Sequence, residues 1–268
     1  MKVQELVNKF QGELKISPFH ILKVLSQIEE KDISFYLINP NLEVRESSVR
    51  NILKHFKEGY PIEYITNKVK FMGNEFYVNE NVLIPRIETE DLVIFAINLI
   101  KEEKIKNVLD IGTGSGAIAI SIKKNINDIN VKASDISSEA IKTAKYNAKK
   151  LGANVEFKTG AYLEPFLEEL NEIELIVSNP PYVETDFIDS NTSLKYEPYI
   201  ALNGGNDGQN FFRVITKKYS NLLINKYLIF ESSEFSINKT AMILSNIGVP
   251  KIIPDSFGKG RFVFISPD

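Results

Sequence analysis

The chain has 268 residues, 43% of them hydrophobic and 25% charged, and a formal net charge of −3. That length can bury one large or two modest cores, and the mild negative charge argues against a generic nucleic-acid binder. With no cysteine there is no disulfide, thiolate-held metal or cysteine nucleophile, and with His20 and His55 as the only imidazoles neither a histidine triad nor a metal site is expected.

Residues 1–59 carry apolar positions at helical spacing, such as Ile21, Leu22, Val24, Leu25 and Ile28, then Val49, Ile52, Leu53 and Phe56. This spacing predicts a small helical domain. Its first ten residues lack the charged head and apolar middle of a signal peptide, and no apolar run reaches the roughly 20 residues of a membrane span, so a cytoplasmic protein is expected. Residues 60–84 shift to short alternations broken by Gly73, Asn74, Asn79 and Asn81, which predicts a β-hairpin linker. From residue 85 to 268 the pattern predicts one larger domain. IPRIETE (84–90) spans its start, where Arg86, Glu88 and Glu90 either form a charged wall or cap a helix over about 91–101.

Strand and helix patterns then alternate: a strand at 107–111, a helix at 116–125, a strand at 131–134, a helix at 138–151, and strands at 155–158 and 174–179. The lysines of 141–150 read as the solvated face of their helix. A strand at 227–232, a helix at 237–247 and a strand at 261–266 extend the series. Alternation of this kind predicts an α/β fold, a parallel sheet covered by helices on both faces.

The strand at 107–111 runs into Gly112, Thr113, Gly114, Ser115 and Gly116 before a helix. Glycines there let the backbone approach a ligand and adopt angles a side chain would forbid, and their spacing serves no evident packing need. The pattern G-x-G-x-G departs from the pyrophosphate-binding G-x-G-x-x-G, while Asp135 ends the next strand roughly 20 residues on, where a carboxylate accepts from ribose hydroxyls. An adenosine-bearing ligand without a pyrophosphate fits best. Val108 to Gly116, VLDIGTGSG, followed by Asp135, resembles the class I methyltransferases that bind S-adenosylmethionine. The resemblance implies a Rossmann-like domain with a seven-stranded, mostly parallel sheet. It also puts the glycine turn and Asn179 at the carboxyl ends of neighbouring strands.

Residues 176–183 read IVSNPPYV. Pro180 and Pro181 stiffen the turn after the strand and so fix Asn179 and Tyr182 in space. Methyl transfer by direct displacement needs a lone pair held in line with the methyl carbon, and positioning supplies about 7 to 11 kcal/mol of such a barrier. The Asn179 side-chain oxygen and the Pro180 carbonyl together suit the two N–H groups of a planar amino group, with the Tyr182 ring as its cover. No strong base is required, because the nitrogen becomes acidic once methylated. Two acceptors fit this site: the exocyclic amine of a nucleic-acid base and the side-chain amide of glutamine.

Four further stretches, GYPIEYIT (59–66), VLIPRIETE (82–90), YEPYIALNGGNDGQNFFR (196–213) and DSFGKGRFVF (255–264), resemble the bacterial glutamine N5-methyltransferases of peptide chain release factors. With the glycine turn and the Asn-Pro-Pro-Tyr element the resemblance spans nearly the whole chain. It implies an N-terminal helical domain that docks the substrate, a hairpin linker and a catalytic domain. The implied reaction methylates the glutamine of the Gly-Gly-Gln loop of class 1 release factors. By position, Gly112 to Gly116, Asp135, Tyr162 and Asn179 would contact S-adenosylmethionine, and Asn179, Pro180, Pro181 and Tyr182 would grip the glutamine. The chain departs from the family pattern at Asn67, Ile87, Ala161 and the Glu231-Ser232-Ser233 stretch. A monomer is expected. The alternatives are an adenine-type nucleic-acid amino methyltransferase, a ribosomal-protein glutamine methyltransferase, and a non-catalytic protein that binds S-adenosylmethionine.

Overall fold

In the computed structural model, which describes residues 1–191 and 193–267, the chain divides into two units, residues 1–68 and the remainder from Val69. The first unit holds α1 (Val3–Leu14), α2 (Pro18–Glu29), α3 (Ile33–Ile38), α4 (Glu46–Lys57) and α5 (Ile62–Thr66). Local chemistry sets the helix starts: the Ser17 hydroxyl accepts from the His20 N–H at 3.4 Å ahead of Pro18, and Asp32 accepts from the Ser34 N–H at 2.8 Å. Leu6, Phe10, Ile21, Leu25 and Leu53 make a dry core from helical-face positions.

Residues 60–66 differ from the predicted hairpin arm. Pro61 opens α5, Ile62 joins the helical core, and Asn67 ends the helix with a left-handed φ of 53°, a conformation asparagine tolerates. The hairpin is shorter than 60–84: β1 (Lys68–Phe71) and β2 (Asn74–Tyr77) turn at Met72 and Gly73, both with positive φ.

The second unit continues with α6 (Glu88–Glu103), β3 (Asn107–Ile111), α7 (Ala117–Asn125), β4 (Asn130–Asp135), α8 (Ser138–Leu151), β5 (Glu156–Thr159), a 3-10 helix (Glu164–Glu172) and β6 (Leu175–Ser178). Then come α9 (Thr185–Ser190), α10 (Tyr199–Leu202), α11 (Asn210–Leu223), β7 (Tyr227–Glu231), α12 (Ile237–Leu244), β8 (Lys251–Pro254) and β9 (Gly260–Ile265). The seven-stranded sheet has the order β5-β4-β3-β6-β7-β9-β8. Strands β5, β4, β3, β6 and β7 pair in parallel, and β9 is antiparallel to both β7 and β8. The fold is therefore α/β with a mostly parallel sheet. Strand order reverses between β3 and β6, and open α/β sheets bind ligands beyond the carboxyl ends of the strands at such a reversal.

Strand periodicity divides the core in two. Val108, Leu175, Val177, Ile229 and Phe264 face one layer with α6, α7 and α8. Leu109, Ile111, Ile176, Leu228, Phe230, Val263 and Ile265 face the other, with α11 and α12. Successive side chains of a strand point to opposite faces, so a strand buried on both sides is apolar at nearly every position. Among the described residues no helix is long and apolar enough to cross a membrane.

Candidate functional site

Where β3 ends, Gly112, Gly114 and Gly116 take φ values of 71°, 56° and 83°, and the N–H groups of Gly112 and Thr113 donate to the Ser134 carbonyl at 2.8 and 3.0 Å. The three glycines do different work. A Cβ on Gly112 or Gly114 would meet nothing within 4 Å, and both positions border a cavity of about 310 Å³. A Cβ on Gly116 would lie 2.7 Å from Ile120 Cδ1 and 3.2 Å from the Ala144 Cβ. Gly116 thus lets α7 pack on α8, which corrects the expectation that the spacing has no packing purpose. Thr113 and Ser115 are buried behind the turn, away from the cavity wall.

Asp110 explains the Thr113 position. One carboxyl oxygen accepts from Thr113 Oγ1 at 2.6 Å and from the Ala119 N–H at 3.3 Å, while its other oxygen is buried with no partner among the described residues. Burial pushes this carboxyl from 3.8 up to about 7, against the pull of its two hydrogen bonds. A carboxyl whose pKa rises on folding contributes stability that is complete below the unfolded pKa and is lost as pH climbs through the folded one. Asp110→Asn keeps an acceptor for Thr113 and Ala119 and stays neutral throughout. Its melting temperature relative to the parent is expected to rise between pH 5 and pH 8; melts at the two pH values that show a constant difference would contradict this.

Asp135, at the end of β4, accepts from the Gly114 N–H at 2.9 Å with one oxygen and from the Ser137 N–H at 2.9 Å with the other. Burial raises its pKa and the two N–H groups oppose that rise. The carboxylate is thereby fixed at the cavity edge, with a lone pair on each oxygen still unused. Tyr162 holds a left-handed φ of 51°, its carbonyl accepts from Ser134 Oγ at 3.2 Å, and its ring lies 5.6 Å from that of Phe211 on the same cavity wall.

Across the cavity, β6 delivers Asn179. The Asn179 Nδ2 donates to Thr89 Oγ1 at 3.0 Å, and the Thr89 hydroxyl donates to Glu231 Oε2 at 2.8 Å. Tyr182 donates its hydroxyl to Glu231 Oε1 at 2.9 Å. Glu231 is 1% exposed, so burial pushes its carboxyl up to about 7, and burial beside that carboxylate pushes the Tyr182 phenol well above its usual range. Asn179 and Pro181 reach the cavity wall, whereas Pro180 and Tyr182 stand behind it.

The loop is held from the back by the NGGNDG stretch. The Val183 N–H donates to the Leu202 carbonyl at 2.9 Å and the Gly204 N–H to the Val183 carbonyl at 2.8 Å. A Cβ on Gly204 would sit 2.7 Å from the Tyr182 Cα, and one on Gly208 would sit 2.4 Å from the Tyr182 carbonyl oxygen. Only glycine admits two backbones this close.

The IPRIETE stretch serves as an anchor. Arg86 pairs with the buried Glu197 at 2.5 Å, Glu197 also accepts from the Ile84 N–H at 3.2 Å, and Glu90 accepts from the Met72 N–H at 2.7 Å. Arg86, Glu88 and Glu90 are not on the cavity wall, whereas the adjoining Asn81, Val82 and Leu83 are. The Ser232 departure is absorbed in a buried polar cluster, with its hydroxyl 2.7 Å from that of Thr240, which donates to Gln209 Oε1 at 2.9 Å.

Six of the residues singled out from sequence therefore meet in one cavity at the strand-order reversal: Gly112, Gly114, Asp135, Tyr162, Asn179 and Pro181. Sequence reasoning missed Thr89, although it lies inside the quoted IPRIETE stretch.

The chain is similar to known proteins. The Methyltransferase small domain family matches residues 93–195. The catalytic domain of hMettl16, solved with a MAT2A 3'UTR hairpin, superposes with a TM-score of 0.55 at 17% identity, covering 72% of this chain and 74% of that one, a likeness of fold alone. A release factor glutamine methyltransferase of Clostridium acetobutylicum is 36% identical over 94% of this chain and 90% of its own. One of Flavobacterium psychrophilum is 37% identical over 98% and 96%. With identity at this level along nearly its full length, and with a methyltransferase sheet beneath it, the chain belongs to the release factor glutamine methyltransferase family.

Proposed function

We propose that the protein transfers a methyl group from S-adenosylmethionine to the side-chain amide nitrogen of the glutamine in the Gly-Gly-Gln loop of class 1 peptide chain release factors. The observation that carries this reading is the convergence of the glycine turn, Asp135 and Asn179 on one cavity. The residues present fit the cofactor: Gly112 and Gly114 leave open space where any side chain would intrude, and Asp135 offers fixed acceptors to ribose hydroxyls. S-adenosylmethionine supplies, when bound, an electrophilic methyl group on a sulfonium.

The chain's own residues do the rest. Tyr162 and Phe211 give the cavity an aromatic wall suited to a flat ring. The Asn179 oxygen accepts an N–H group of the glutamine amide and aims its nitrogen, while Pro181 on the cavity wall and Pro180, which does not line it, keep the turn rigid. Tyr182, tied to Glu231, braces the loop. The reading extends to a monomer working in the cytoplasm.

The test incubates the protein with methyl-labelled S-adenosylmethionine and, separately, release factor, release factor with its loop glutamine changed to alanine, a ribosomal-protein substrate and duplex DNA. Label is expected on the unaltered release factor alone. Label on DNA, or label that survives the alanine change, would overturn the proposal.

A further inference from the structure

A carboxamide placed at a cavity wall has two orientations, and the surrounding bonds of Asn179 select one. An ionised carboxylate only accepts, and a threonine hydroxyl has a single proton to give. With Glu231 ionised, the Thr89 proton is committed to Glu231 Oε2 at 2.8 Å, and the Thr89 oxygen is left to accept. The end of Asn179 that faces it must then be the NH₂ group, as the 3.0 Å contact from Nδ2 has it. The Asn179 oxygen is consequently turned away from Thr89 and free for a donor. Tyr182 gives its own proton to the other oxygen of the same carboxylate at 2.9 Å, so both named ends of the Asn-Pro-Pro-Tyr loop hang from Glu231.

We propose that Thr89 and Glu231 are positioning residues for methyl transfer: together they hold the Asn179 carboxamide with its oxygen toward the acceptor nitrogen, and the ionisation of Glu231 sets the polarity of that clamp. The catalytic part of this inference rests on the functional reading above; the orientation of the carboxamide does not. The groups around Glu231 pull in both directions. Burial opposes the carboxylate most, joined by Glu88 in the first turn of α6, while the hydroxyls of Thr89 and Tyr182 and Arg261 on β9 favour it, so that its pKa is pushed up to about 7. Once protonated, Glu231 has a proton to give to Thr89, whose own hydrogen is then free to turn toward Asn179. The reason to present the NH₂ group to Thr89 is lost, and the clamp loses its fixed acceptor.

The experiment combines kinetics with a substrate-free readout. Thr89→Val, which removes the hydroxyl at nearly constant shape, is expected to lower kcat by roughly tenfold or more with the affinity for S-adenosylmethionine changed less than about threefold. Thr89→Ser should restore kcat to within about threefold of the parent, and Glu231→Gln should remove a fall in kcat seen below about pH 7 in the parent. In the parent protein alone, the side-chain amide proton signals of Asn179 in a ¹⁵N–¹H spectrum should move in one titration near neutral pH, and that movement should vanish in Glu231→Gln. Equal kcat in Thr89→Val and the parent overturns the proposal, as does an Asn179 amide signal that ignores pH from 5.5 to 8.5. If the parent leaves release factor unmethylated while the Asn179 signal follows Glu231, the orientation of the carboxamide stands and the functional reading falls.

Discussion

Asn179→Ala is expected to lower methyl transfer to release factor by about 10²–10³-fold, the loss that follows removal of one pre-aimed polar group from a reacting centre. S-adenosylmethionine should still bind, because Gly112, Gly114, Asp135 and Tyr162 bound the cavity without help from Asn179. Single-turnover transfer from labelled cofactor and calorimetric cofactor binding separate the two effects; near-normal turnover would contradict the gripping role. Asn179→Asp sharpens the test. Aspartate keeps an acceptor of the right size, but it has no NH₂ to offer Thr89, whose one proton already serves Glu231. Two carboxylates would then face one hydroxyl, and turnover should fall nearly as far as in the alanine variant although an oxygen remains available.

How much of this site was legible in the sequence depended on the range of the interaction. The sheet was readable because strands buried on both faces leave short apolar runs, as at 175–177 and 228–230, and because the glycine turn and Asp135 sit at a spacing that one β-α-β unit fixes. The edge strand β8 was not readable: it is short, largely exposed and ends in Pro254, so neither apolar alternation nor length marks it. Gly116 resembles a ligand contact in sequence because the turn is alike at all three glycines, and only the approach of Ala144 from α8 tells it apart. The Thr89 to Glu231 bond joins residues 142 positions apart through the hydroxyl of a residue that, in sequence, is one more member of an acidic helix start. Local propensity carries no trace of such a contact. The buried carboxyl at the end of β7 was the available signal, since a charge in that position calls for partners.

Gly208→Ala should nearly abolish turnover without touching the cavity wall. Gly208 has a φ of 69°, where a Cβ is unfavourable by roughly 1–2 kcal/mol, and that Cβ would meet the Tyr182 carbonyl oxygen at 2.4 Å. Backbone on both sides forms the contact, so no side chain can rotate to relieve it. The Tyr182 turn must move instead, and Asn179 lies three residues upstream on the same stiff Pro180-Pro181 segment. A displacement on the order of 1 Å at a reacting centre lowers rate by about 10²-fold. Gly152→Ala supplies the control: Gly152 also has a φ of 69°, caps α8, and has nothing within 4 Å of where its Cβ would stand. Both variants should lose thermal stability from the left-handed backbone, Gly208→Ala the more, and only Gly208→Ala should lose turnover while still binding S-adenosylmethionine. Measuring kcat, cofactor affinity and melting temperature for the pair decides it: if Gly208→Ala turns over within a few-fold of Gly152→Ala, the close approach at Tyr182 does not hold the loop in its working position.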